Sequence, residues 1–240
     1  MKKNIRHFLL LSALAAGSIH LLNRFIQAAA DMKNILKAEN GNYYDWKNGK
    51  IYYTKRGNGS PLLLIHDLDP VSSSYEWCKV IRKLEKNHTV YTLDLIGCGR
   101  SDKPFLTYTN YLYVQLITDF IRNVIGEKTA VLTSNESVSF TVLACNMNKD
   151  LMSSILVLNP ASLKSLHITT NKYASVKKTL FELPIIGTFL YNLRVSNTSL
   201  NKAFREDYYA RPQLISSKLM DAYYEAAHMN FSRGKYLMAS

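Results

Sequence analysis

The sequence is poor in the residues that staple small folds or hold metals. Its three cysteines, Cys78, Cys98 and Cys145, are odd in number, scattered and never spaced C-x-x-C. That pattern argues against a disulfide framework and a structural zinc site; buried free thiols are expected, with no metal and no cofactor implied. There is no internal repeat and no low-complexity tract. Acids are scarce, 18 against 30 Lys and Arg. The shortfall is uneven: residues 1–37 hold six bases and one acid, residues 161–240 hold eleven bases and five acids, and the middle is nearly neutral. A nucleic-acid binder more often gathers its charge in one stripe beside a reading element, and no helix-turn-helix, zinc-finger or RNA-binding signature is present. Nucleic acid is therefore not expected as a partner. An anionic membrane surface is the better fit; a basic surface that only aids solubility is the plain alternative.

What is present suits a globular body. The 240 residues are 47% hydrophobic and 20% charged, enough for one domain with a real core plus extra segments and too apolar for disorder. The N-terminus opens with Lys2, Lys3 and Arg6 and continues into an apolar run. Phe8 to Asn23 falls short of a hydrocarbon core about 30 Å thick at roughly 1.5 Å per residue. Extension to Ala30 reaches across, with Arg24 snorkelling. "AAAD" at 28–31 offers a rival signal-peptide cleavage site, which would give a secreted form, but His20, Asn23 and Arg24 lie between it and the apolar run. An uncleaved single membrane anchor is therefore preferred; its orientation is open, because basic residues flank both sides.

Residues 40–60 interleave aromatics with Asn-Gly turns at 40–41, 48–49 and 58–59, the pattern of a small antiparallel meander. "PLLLIHD", "TVYTLDL", "TAVLTS" and "SSILVLNP" read as buried strands. "SSYEWCKVIRKLEK", Tyr111 to Ile125 and Ser137 to Met147 read as helices between them. This alternation predicts parallel βαβ units, an α/β class. Ligands in such sheets sit beyond the carboxyl ends of the strands, where "HDLDP", "DLIGCGRSDKP" and "SNESVS" lie. The expected divisions are 1–37 for the anchor or signal-like helix, 38–160 for the core and 161–240 for a helical cap.

Those corners resemble the α/β-hydrolase fold family. "LLLIHDLDPVSSSYEW" is similar to its strand and HG loop. "VYTLDLIGCGRSDKP" closely resembles its D-x-x-G-x-G-x-S-x-x-P turn. "NESVS" stands where the G-x-S-x-G nucleophile elbow belongs, and "ELPIIGTFLYNL…YYARP…DAYYEAAH" resembles the helical cap of the epoxide-hydrolase and dehalogenase-like branch. The resemblance implies a mostly parallel sheet with N-terminal antiparallel strands, flanking helices and a cap. It also implies a serine hydrolase acting on an ester or similar small apolar substrate.

By that resemblance Ser137 is the nucleophile on a sharp strand-to-helix turn, with Asn135 and Ser139 in the small-residue places. An alternative register puts Glu136 there, and a plain helix-start role for Ser137 also stands. The backbone amides of Leu68 and Val138 would hold an oxyanion. His66, Asp67, Glu136 and Trp77 are candidate pocket-lining residues; His66 is read as structural, and Asp94 as a capping or network residue. Tyr75 either packs or lines the pocket. The triad's acid and histidine have no counterpart here. After Ser137 the chain has only His167 and His228, both read as packing or surface residues, and Asn159 is an uncharged amide where some relatives hold an acid. Without a base a serine is a poor nucleophile. Two explanations fit: a chain that stops before its catalytic histidine and is inactive as it stands, or a lapsed member used for binding or scaffolding. The first is preferred, because two missing strands would leave an open sheet edge. In the cap, Pro184 and Gly187 separate two helices, and its frequent Tyr, Phe and Leu suit either packing or an apolar lid.

Overall fold

The computed structural model describes residues 2–37, 39–160 and 174–240. His167 and the first part of the expected cap fall outside them. The chain begins with α1 (Lys2–Asp31) and then builds β1 (Asn42–Trp46), β2 (Gly49–Arg56) and β3 (Ser60–Ile65). A 3-10 turn at Ser74–Trp77 and a short α2 (Ile81–Leu84) lead to β4 (His88–Leu93). Next come α3 (Asn110–Phe120, extended by a π turn), β5 (Thr129–Ser134), α4 (Ser137–Met147) and β6 (Met152–Leu158). The last described stretch is helical: α5 (Ala174–Glu182), α6 (Ile186–Arg194), α7 (Asn197–Ala203), α8 (Ser217–Ser232) and α9 (Lys235–Ala239).

One six-stranded sheet runs in the order β1-β2-β4-β3-β5-β6. The meander is antiparallel, and β4, β3, β5 and β6 are mutually parallel. Ile65 pairs with both Leu93 and Thr133, and Ser134 pairs with Leu158. The carboxyl ends of four strands therefore meet along one edge. Leu63, Leu64 and Ile65 are fully buried, as expected of a central strand covered on both faces. On one face Phe120 takes edge-on contacts from Tyr44, Tyr53 and Tyr91 at 5.3–6.5 Å, and Tyr113 stacks on Phe140 at 4.8 Å. On the other, Leu64, Trp77, Ile81, Val90 and Leu132 form a second cluster.

The helix expected over "SSYEWCKVIRKLEK" is broken into the 3-10 turn and α2. Ser73 accepts from the Tyr75 N–H, and the Asp94 carboxylate takes the Ser74 N–H at 2.7 Å, so the start of the segment is pinned to the sheet edge. Helix α1 extends past the apolar run and docks on α6 and α8. Asn23, Gln27 and Ala30 are buried, Asn23 bonds to the Ile185 carbonyl and Asn192, and Ala30 joins Tyr191, Leu200, Phe204 and Tyr224 in the cluster among the C-terminal helices. Glu225 then gathers the N–H groups of Ile35, Leu36 and Lys37. The first part of α1 stays exposed: Phe8, Leu9, Leu11 and Leu14 are at least 60% accessible.

Candidate functional site at the strand ends

The turn after β4 is the most tightly bonded corner. Burial alone would raise the fully buried Asp94 carboxyl, but the Arg100 charge and hydrogen bonds hold it well below the usual carboxylate range. Arg100 reaches Asp94 through its backbone N–H and Nε, both at 2.8 Å, pairs with Glu39 at 2.7 Å, and lies 3.8 Å over the Tyr52 ring. Gly99 has φ +46, and a Cβ there would clash with the Asp94 carboxylate, so the turn admits only glycine. Asp94 is the network residue its position suggested.

At the first corner His66 is fully buried. Its Nδ1 donates to the Asp67 carbonyl at 2.7 Å, and its Nε2 accepts the Leu95 N–H at 2.9 Å. Burial lowers its pKa, so the ring is a neutral clamp between two strand ends. Trp77 is buried in the sheet cluster. Neither lines the two strand-end cavities described below, where both were expected; their rings fill space the sheet must close. Tyr75 packs against the cap clusters.

The elbow after β5 differs in register from the resemblance. The left-handed residue is Asn135, φ +46, immediately after the strand's last residue, Ser134. Ser137 sits two residues further on, in the first turn of α4. It is fully buried, and its Oγ donates to the His66 carbonyl at 2.6 Å. The helix thus approaches the first corner at Ser137, while the side chain of Asn135 stands at the bend, bonded to Asn159 at 2.8 Å. Asn159 is also left-handed, φ +45. The signal for Asn135 was in the sequence: Asn is the non-glycine residue that best tolerates this conformation.

The amides expected to hold an oxyanion are mostly engaged. The Val138 N–H points to the Asn135 carbonyl at 3.3 Å, an ordinary helix-start bond. The Asp67 N–H goes to Glu76, and the Glu136 N–H donates to the Asp67 carboxylate at 3.1 Å. Among the described residues only the Leu68 N–H of this group has no partner. Asp67 therefore presents a carboxylate where a reacting oxyanion would need a donor. Burial, opposed by that Glu136 N–H, pushes its pKa up to about 6.

Above these groups lies a cavity of about 610 Å³. Asp67, Asp69, Glu76, Glu136 and Asp207 line it, with Ser134, Asn135 and Asn159. Its lining is acidic rather than the apolar pocket expected. Ser134 Oγ donates to Glu76 at 2.6 Å. An adjoining cavity shares Leu68, Asp69 and Glu136 and adds Lys177 and Arg194. His228 is buried in α8, its Nδ1 donating to the Tyr224 carbonyl and its ring tilted on Tyr224 at 4.3 Å. It lines neither cavity. No cluster of three His, Cys, Asp or Glu suited to a metal exists among the described residues.

No family model matches the chain. It is 27% identical over 110 residues to the soluble epoxide hydrolase of Corynebacterium sp. strain C12, covering 46% of this chain and 38% of that protein. It is 37% identical over 60 residues to the haloalkane dehalogenase of Agrobacterium fabrum, covering 25% of this chain and 19% of that one. The chain thus spans less than two fifths of the curated relatives it matches, each named for hydrolysis or dehalogenation of a small molecule. Among solved structures it resembles an epoxide hydrolase, TM-score 0.67 at 20% identity, over 83% of this chain and 71% of that one. It also resembles a bacterial membrane phospholipase A, TM-score 0.60 at 17% identity, over 99% of this chain and 72% of that one. The fold is that of the α/β-hydrolases, with a mixed, mostly parallel sheet, flanking helices and an apolar N-terminal helix.

Proposed function

We propose that this α/β-hydrolase-fold protein binds a small cationic molecule in the acidic cavity at its strand ends and performs no acyl transfer there. The observation that carries the reading is Asn135 at the elbow. An amide nitrogen is not a nucleophile, and here its side chain is held by Asn159. The N–H groups of Asp67 and Glu136 are spent on Glu76 and Asp67. Five carboxylates around 610 Å³ attract an ammonium group and repel a developing oxyanion.

The test pairs two measurements on the full chain. A fluorophosphonate probe is expected to leave the protein unlabelled. Simple primary alkylamines are expected to raise the melting temperature, whereas matched carboxylic acids do not, and Glu76→Gln with Asp207→Asn is expected to remove the amine effect. Labelling that disappears in Ser137→Ala would overturn the proposal.

A second reading keeps a serine hydrolase of an ester or similar small substrate. The direction of Ser137 Oγ, toward the loop that starts at His66, favours it, as do the names of the relatives. In it Ser137 attacks and the amides of Leu68 and Val138 bind the oxyanion. The acid and base it needs are not among the described residues.

The same proposal places the protein on a membrane through α1. Asn4–Asp31 is long and apolar enough to cross one. Cleavage at Ala30 would strip Asn23, Gln27 and Ala30 from the cap's packing, which supports an uncleaved anchor. Retention in the membrane pellet after alkaline carbonate extraction is the expected result; release into the supernatant would count against it.

A further inference from the structure

A pocket of about 240 Å³ lies where α1 meets the turn between α8 and α9. Four basic side chains line it: His20 and Arg24 from α1, Arg233 from the turn, and Lys235 from the start of α9. No carboxylate does. Asp31, one turn beyond Gln27 on α1, is engaged by Lys37 at 2.8 Å and by Gln27. Among the described residues, no ion pair involves Arg24, Arg233 or Lys235.

Lys235 is the unusual member. It is 3% exposed, and its Nζ donates only to the Leu183 carbonyl at 2.9 Å and Thr188 Oγ1 at 3.1 Å, both neutral. A buried cation without a counter-charge is costly, and burial lowers its pKa accordingly. A second orphan lines the same pocket: Gln27 is buried, and its Oε1 has no hydrogen-bond partner among the described residues. The site thus offers unbalanced positive charge and one free acceptor.

Its rim is strained. Asn230, Phe231 and Ser232 have φ of 55, 59 and 57, a run of left-handed non-glycine residues that persists only where the surroundings enforce it. The turn holds Phe231 out to solvent, 63% exposed, with the Arg24 guanidinium 5.2 Å from its ring centroid. Its depth relative to a bilayer follows from α1. The exposed apolar stretch runs from Ile5 to Leu22, about 27 Å at roughly 1.5 Å per residue, close to the hydrocarbon thickness. From Asn23 onward the helix is docked on the cap. His20, Arg24 and the exposed Phe25 therefore lie where the helix leaves the hydrocarbon, at the level of lipid phosphates.

We infer that this pocket binds the headgroup of an anionic phospholipid, with the phosphate held by Arg24, Arg233 and Lys235 and a headgroup hydroxyl donating to Gln27 Oε1. The inference rests on the membrane part of the proposed function and not on the acidic cavity. The acyl chains would run back along the exposed apolar face of α1.

The full chain in a neutral detergent is titrated with dihexanoyl phosphatidylglycerol, dihexanoyl phosphatidylcholine and inorganic phosphate, and binding is read by calorimetry. The glycerol lipid is expected to bind at least tenfold more tightly than either of the others, since choline cannot donate to Gln27 and phosphate lacks the apolar part. Arg24→Gln with Arg233→Gln is expected to weaken it at least tenfold, with the melting temperature retained. Lys235→Met is expected to act in the same direction; should it not fold, the surface pair carries the test. Equal affinity in the parent and the double variant would overturn the inference, as would phosphate binding as tightly as the lipid, which would mark a free-anion site. Carbonate extraction reports separately on α1: insertion without lipid selectivity defeats the pocket alone, whereas loss of insertion defeats the anchor.

Discussion

The strand-end corner and the anchor–cap junction treat their polar groups in opposite ways. At the corner almost every donor has an acceptor within the protein. Asp94 and Arg100 neutralise each other, His66 bridges two loops, Ser137 bonds a carbonyl, and Asp67 takes the Glu136 amide. At the junction, among the described residues, Arg24 and Arg233 make no side-chain hydrogen bond or ion pair, Lys235 has only neutral acceptors, and a glutamine oxygen has no partner. A site that has satisfied itself is arranged for stability and for selecting what may enter. One that leaves charge unmatched is arranged for something arriving from outside. The region with the family's catalytic motifs is thus the quieter of the two.

The largest effect should come from breaking the corner's ion pair. Arg100→Met leaves Asp94 buried and alone and is expected to destabilise the fold by about 3–5 kcal/mol, measured by urea unfolding in mild detergent. A loss below about 1 kcal/mol would mean that the corner is not held as described.

Asp67 gives the next effect, with the opposite sign. Its folded pKa, about 6, lies above the ordinary value. The folded protein therefore binds this proton more tightly than the unfolded chain, and stability falls as pH rises from about 4 to about 6. Asp67→Asn keeps an acceptor for the Glu136 amide and removes that cost. The variant should exceed the parent by about 1–3 kcal/mol at pH 8 and match it near pH 4. Equal stability at both pH values would show that the carboxylate is not strained in its place.

Ser137→Ala should cost about 1–2 kcal/mol by leaving the His66 carbonyl unpaired, the signature of a structural hydroxyl. A cost near zero together with lost probe labelling would move Ser137 from the framework to the chemistry.

At the junction, Arg233→Gln alone should change stability by under about 0.5 kcal/mol while weakening lipid binding. A destabilisation comparable to that at Arg100 would erase the contrast between the two regions.

Periodicity carried most of the fold. Continuous apolar runs gave β3 and β5 their buried places, Asn-Gly pairs gave the meander, and Pro184 with Gly187 separated α5 from α6. The break between Trp77 and Ile81 was hidden, because the start of that segment is pinned at Ser74 by Asp94, twenty residues away. The elbow was legible in kind but not in register. "SNESVS" announces a corner and offers Asn135 as its left-handed residue, yet a family pattern draws the eye to the serine. The basic pocket was not legible at all. Arg24 and Arg233 stand more than two hundred positions apart, and a charge tally places both in a diffuse surplus.

The sequence alone determined the class of the protein: the order of strands and helices, an apolar leader, a neutral core between basic ends. Those follow from local rules, because side-chain spacing sets which face of an element can be buried. Tertiary structure decided which polar groups meet. It set Asn135 rather than Ser137 at the bend, gave the Glu136 amide to Asp67, and brought Lys235 beside α1 without an acid. Such matches depend on distances of a few ångströms between remote residues, and one hydrogen bond made or left open separates a framework group from one that waits for a ligand.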